Sequence, residues 1–367
     1  MAIADTQTNR PAKPPRHVRS AASVIATVAV RTIFILLCLV VVLLYTVYGI
    51  CRVMFLGPSE TARDQLVISA LETSAMKFVP GLYLPKSTIE EIVAGNTVIP
   101  PDEQVDPDLI VIKPSEGQDP DGEDTEDDEW ADYPDGVRIE TVYGQSFRGK
   151  VMLIRDPSRV FVGTSSDFKN AGVSGIRVLQ AVANYEAAGG INGGGFFDDG
   201  TAVTGNLPLT FTMSEGKVVY GNLARKEWTI GLTHDDVLVV GQMTGQQALD
   251  QNMRDCVSFE YGYSLIVNGM PSTITGEGNL GRNPRTAIGQ RADGVVVMVV
   301  IDGRQASSVG GDYADLIDIF MQYGAINAAN LDGGTSTIMV YNSEVVNVPS
   351  NLVGRLMPTF FLIKQPQ

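Results

Sequence analysis

The sequence predicts a mixed α+β domain, mainly antiparallel, preceded by one transmembrane helix and a stalk that is first helical and then disordered. Three observations carry this reading. An uncharged stretch of twenty residues, 32–51, lies near the N-terminus. From about residue 133 onward, short strand-like runs alternate with turn residues. Two of the most apolar runs, VVVMVVIDG and INAANLDGG, are joined by a segment with helical periodicity.

The N-terminal elements follow from length and charge. Twenty helical residues at about 1.5 Å each reach across a hydrocarbon core of roughly 30 Å. Arg10, Lys13, Arg16, Arg19 and Arg31 precede the stretch, and Arg52 follows it. The positive-inside rule then leaves residues 1–31 in the cytoplasm and places everything after residue 52 outside. The apolar run is long for a signal peptide and YTVYGIC offers only a poor cleavage site, so an uncleaved anchor is expected. Residues 52–96 read as a helical stalk. Ser59 suits an N-cap, Leu66, Ala70, Leu71 and Ala75 recur at helical spacing, and Pro80-Gly81 ends the pattern. A second short helix is expected at 87–96, with Gly95 as its stop.

Residues 97–132 read as an acidic, disordered linker. From 102 to 135 there are 15 acidic residues and one lysine, a net −14 of the chain's −15. The low pI therefore describes a spacer and not a folded surface. No basic stripe suggests nucleic acid as a partner. The acidic run does not match the spacing of an EF-hand calcium loop.

Within residues 133–367, SEGK, THDD and RADG each sit between extended runs as hairpin turns do. Helices are expected at 173–190, with glycines at its end, and at 310–325, with Asp312 as cap and Gly324 as stop. The second helix joins the run ending at Asp302 to the run ending at Asp332. A parallel crossover would bring both aspartates to the same edge of the sheet, where open sheets place ligands. Two carboxylates there suit acid–base chemistry or a cation.

Other chemistry is excluded by what is scarce. Three cysteines, two of them in or beside the apolar segment, give no disulfide framework. His17 and His234 are the two histidines, which argues against a histidine triad or a histidine-rich zinc site. His234 reads as a hairpin turn residue and Cys256 as a buried, inert thiol.

Four clusters remain. INGGGFF presents Asn192, Gly193 and Gly194 after an apolar run, with glycines suited to close approach by a ligand. GRNPRTAIG presents Arg282 and Arg285, DGRQASS presents Arg304, and NLDGGTST presents Asp332, Gly333, Gly334 and Ser336. Guanidinium groups of this kind grip phosphate or carboxylate.

In this order and rough spacing, the four clusters resemble the phosphodiester glycosidase family over roughly residues 140–367. The resemblance implies hydrolysis of a sugar-1-phosphodiester. It implies Asp302, Asp332 and Arg285 as catalytic residues. It implies Asn192, Gly193, Gly194, Arg282, Arg304, Gly333, Gly334 and Ser336 as substrate-binding ones. Thr335 departs from the family's third glycine, and a β-branched residue there disfavours a positive φ. The arginines would hold the phosphodiester while the aspartates flank the anomeric carbon. No cofactor is required by this reading, although carboxylate-bound Ca²⁺ or Mg²⁺ is compatible with it. A phosphate-linked envelope glycan or exopolysaccharide is the expected substrate. The alternatives are a non-catalytic glycan- or phosphate-binding module, a phosphodiesterase that cleaves P–O, and an assembly partner in polymer export.

Overall fold

The computed structural model describes residues 21–73, 76–112, 129–166, 168, 174–197, 205–276, 281–351 and 354–366. The basic tail, Ala75, the densest part of the acidic run and the Asp198-Asp199-Gly200 end of the glycine cluster lie outside them. The chain divides into two compact units, Met1–Met54 and Phe55–Gln367. The first holds most of α1 (Ala21–Leu56), which is long and apolar enough to cross a membrane.

The second unit is mixed α+β with antiparallel sheets. Among the described residues its helices are α2 (Glu60–Leu71), α3 (Lys86–Gly95), α4 (Val178–Asn184), α5 (Gly245–Asp250) and α6 (Tyr313–Gln322). One seven-stranded and two five-stranded sheets converge on a single apolar cluster. The strand Val296–Ile301 explains its unbroken apolar run. Val296, Met298 and Val300 enter that shared cluster, while Val297, Val299 and Ile301 pack on the opposite face with Leu316 and Phe320 of α6. A strand covered on both faces has no polar side to alternate with.

The expected crossover is present. Val296–Ile301 and Ala325–Asn330 both pair antiparallel with Arg285–Arg291, which lies between them. They therefore run parallel to each other, and α6 connects them. Asp312 caps α6 in a reciprocal box with Asp315, and Gly324 closes it at φ +72°.

Two expectations are corrected. The helix expected at 173–190 is confined to Val178–Asn184, and Gly189 and Gly190 open the strand Gly189–Asn192. A Cβ on Gly189 would lie 2.5 Å from the Val340 carbonyl oxygen, and one on Gly190 would lie 2.4 Å from that of Phe361. These glycines serve close strand packing and do not end a helix. The acidic spacer is also not disordered where it begins. Val98–Ile99 pairs with Thr273–Ile274, and the Val111 amide donates to the Ala292 carbonyl at 2.7 Å. Val98 and Ile110 are buried there, as is Trp130 at the far end. Apolar residues interspersed among the acids hold both ends of the stretch to the domain.

Candidate active site

A cavity of about 1230 Å³ opens in the second unit. Part of its wall is the end of the sheet where Arg285 begins its strand and Asp332 follows its own. The Gly334 amide donates to the Pro284 carbonyl at 2.8 Å, and the Leu331 amide donates to that of Thr286 at 2.8 Å. Asp332 is thereby held beside Arg285, and both line the cavity.

Arg285 is 4% exposed. Its Nε donates to the Gly311 carbonyl at 3.2 Å and its Nη2 to that of Gly281 at 2.9 Å. Its guanidinium lies over the Tyr313 ring at 4.3 Å, so the group is rigidly aimed. Arg304 also lines the cavity. Its backbone sits at φ +58°, uncommon for a residue with a Cβ and a form of strain that gathers at functional positions. Nη2 of Arg304 donates to Asn283 Oδ1 at 3.1 Å and to Thr73 Oγ1 at 3.0 Å. Burial lowers the Arg304 pKa; the charges of Arg285 and Arg355 add to the effect, and Glu72 opposes it.

The feature that local sequence reading missed is Glu72, just beyond α2 in the segment read as a plain stalk. Its Oε2 lies 3.1 Å from Arg285 Nη2 and accepts from Asn283 Nδ2 at 2.7 Å. Burial raises the Glu72 pKa, against the pull of Arg285. The Arg282 amide donates to Ser69 Oγ at 2.9 Å, a further tie between this segment and the RNPRT motif. Tyr261, Tyr263 and Tyr313 were also missed. They form a chain of edge-on rings along another wall, with centroids 6.4 and 5.7 Å apart. The apolar environment raises the Tyr263 hydroxyl to about 12.

Of the remaining predicted residues, Asn192, Gly193, Gly194, Arg282 and Ser336 are not on the cavity wall. Asn192 is fully buried; its Nδ2 donates to the Asp332 carbonyl at 2.5 Å and its Oδ1 accepts from Thr286 Oγ1 at 2.9 Å. Gly193 and Gly194 pack against Thr359 and Ser258, where a Cβ would come within 2.7 and 2.6 Å. Their small size serves backbone packing, and Gly195 is the glycine of that cluster on the cavity wall. Arg282 pairs with Asp312 and Asp315 at 3.4 Å, at the start of α6. Ser336 is buried, while Gly333 and Gly334 are on the wall. The left-handed turn falls on Gly334 at φ +61°, so Thr335 fits the loop without the strain its side chain suggested.

Asp302 emerges at the same sheet end as Asp332 but is not part of the cavity wall. Its Oδ1 accepts from Asn347 Nδ2 at 3.0 Å and from the Val348 amide at 2.9 Å, and its Oδ2 is 3.6 Å from Arg148 Nη2. Burial raises its pKa against these three partners. Among the described residues, no cluster of three His, Cys, Asp or Glu side chains is placed to hold a metal.

The family model described as phosphodiester glycosidase matches residues 185–364, a span that includes Asn192, Arg285, Arg304 and Asp332. That span belongs to the phosphodiester glycosidase family. Proteins similar to this chain include a prophage-derived uncharacterized protein, YomE, of Bacillus subtilis (strain 168), 30% identical over 59% of this chain. The mouse N-acetylglucosamine-1-phosphodiester alpha-N-acetylglucosaminidase is 24% identical over 57% of it. The matches span 29% and 42% of those two proteins. A zebrafish enzyme of the latter name, whose catalytic domain is described as auto-inhibited by its pro-peptide, shares the fold. It matches with a TM-score of 0.51 at 23% identity, over 62% of this chain and 82% of that one.

Proposed function

We propose that this chain is a membrane-anchored, extracytoplasmic hydrolase that cleaves the sugar C–O bond of a sugar-1-phosphodiester. The observation that carries the reading is the anion site itself. Arg285 and Asn283 already hold a carboxylate, that of Glu72, at 3.1 and 2.7 Å. A phosphodiester presents the same charge and the same acceptor oxygens to that pair. In this reading Arg285 and Arg304 bind the phosphate, and Glu72 occupies its place until substrate arrives.

Asp332 is the carboxylate assigned to the anomeric carbon, where it activates water or stabilises positive charge as the bond breaks. Water adds to the sugar carbon, the C–O pair leaves with the phosphate, and the water proton ends on a phosphate oxygen. A phosphate leaving group needs little acid assistance, which agrees with a cavity wall built without histidine. The tyrosine wall offers aromatic edges and faces to a sugar ring. Asp302 is assigned to positioning, because its carboxylate fastens Asn347 and Val348.

The test is hydrolysis of an N-acetylglucosamine-1-phosphodiester in ¹⁸O water by the full chain in nanodiscs. Label in the released sugar supports the proposal. Label in the phosphate makes the protein a P–O phosphodiesterase. Binding with no release makes it a recognition module.

A further inference from the structure

We infer that the substrate's aglycone is a lipid of the same bilayer, so that the enzyme acts on a lipid-linked sugar phosphodiester; this rests on the glycosidase reading above. The argument starts at residues 76–83, between α2 and α3. Phe78 and Leu82 are 65% and 68% exposed, and Met76 is 47% exposed. A single exposed apolar side chain is ordinary. Three within seven residues, beside Lys77 and Lys86, form the pattern of a segment that inserts apolar groups among lipid headgroups.

The chain itself says which surface covers them. The apolar helix runs to Leu56. The Phe55 ring in its last turn is buried and stacks on Tyr83 at 4.9 Å, with 12° between the ring planes. Residues 76–83 are thus held to the point where the chain leaves its apolar helix. The same short segment reaches the site. Thr73 meets Arg304 at 3.0 Å, and Lys77 lines the cavity. The 12 residues of α2 bridge only about 18 Å along the helix axis. Ile68, Leu71 and Val93 supply apolar wall on this side, suited to the first carbons of a hydrocarbon aglycone. Arg285 and Arg304 then meet a phosphate that is fixed at headgroup level.

The reaction is the hydrolysis already described, with a lipid monophosphate as the second product. The experiment uses the full chain in nanodiscs and two substrates. One is N-acetylglucosaminyl-1-phosphoryl prenol within the disc; the other is the water-soluble methyl phosphodiester of the same sugar. The double variant Phe78→Asp, Leu82→Asp replaces no residue that lines the cavity. It is expected to lower turnover of the prenyl substrate about tenfold while leaving the methyl substrate within about twofold, which also reports that the variant is folded. Phe78→Trp in the wild-type background should have its fluorescence quenched by brominated lipid. Equal effects on both substrates, or no quenching, overturns the lipid assignment and leaves the glycosidase reading standing. Failure of the wild type to hydrolyse either substrate removes both.

Discussion

Glu72 Oε2 lies 3.1 Å from Arg285 Nη2, a carboxylate just beyond α2 resting on a buried guanidinium at the start of a central strand. The two residues are 213 positions apart, and each has a stake in the charge of the other. On the proposed reading, substrate and Glu72 compete for one place. Replacing Glu72 by Gln or Ala should therefore raise kcat/KM, by roughly tenfold for a lost competitor of about 1.4 kcal/mol. Initial rates on a soluble sugar phosphodiester check this. Loss of all activity would instead make Glu72 part of the chemistry.

The competition depends on pH. Burial raises the Glu72 pKa, so its proton is taken up at a higher pH than an exposed glutamate would require. The neutral form no longer pairs with Arg285. Activity of the wild type should rise as pH falls through that raised value, and Glu72→Gln should lack this limb. Parallel pH–rate profiles of the two proteins decide the point.

Arg285 was legible from its motif, but its partner was not. A guanidinium in RNPRT announces an anion; nothing local in SALET announces a residue that reaches across the fold. The same holds for the tyrosines, whose alternation in EYGYS marks an exposed-and-buried strand edge as readily as a binding wall. The α6 crossover is readable because Val296–Ile301 is apolar on every residue, Ala325–Asn330 is apolar apart from two asparagines, and the capping residues stand at the helix ends. Asp302 ends its strand at the same sheet edge as Asp332, and strand order alone makes it a candidate for the site. Strand order places a backbone, however, and a side chain settles with the partners it finds, here Asn347 and Val348. Asn192, Gly193 and Gly194 were read as ligand-facing for a similar reason. Close packing demands the same small or hydrogen-bonding residues as a ligand does.

Replacing Arg285 separates charge from geometry. Arg285→Lys keeps the charge but cannot maintain the fork that serves Gly281, Gly311 and Glu72 together. Its kcat/KM should fall by about ten- to a hundredfold, the loss of roughly 1.5–3 kcal/mol for charge-assisted hydrogen bonds. Arg285→Ala should also lower Tm, since it leaves Glu72 without its counter-charge, and Glu72→Gln in the same chain should restore part of that stability.

The two aspartates should part company when each is changed. Asp332→Asn is expected to abolish turnover with little change in Tm, because the residue lines the cavity and the substitution keeps its size. Asp302→Ala should cost about 1–3 kcal/mol of stability by leaving the buried Asn347 amide unsatisfied and freeing the Val348 amide, with activity falling only as the loop loosens. The pH dependence gives the sharper readout. Burial raises the folded-state pKa of Asp302 above its unfolded value near ~4, so the fold prefers the protonated form. The stability this contributes is complete below the unfolded pKa and is lost as pH rises through the folded one. Asp302→Asn cannot titrate, so its Tm should decline less than that of the wild type over that window. Thermal unfolding of both proteins across the acid range measures the difference, and identical slopes would show that Asp302 keeps its ordinary pKa and is not confined as described.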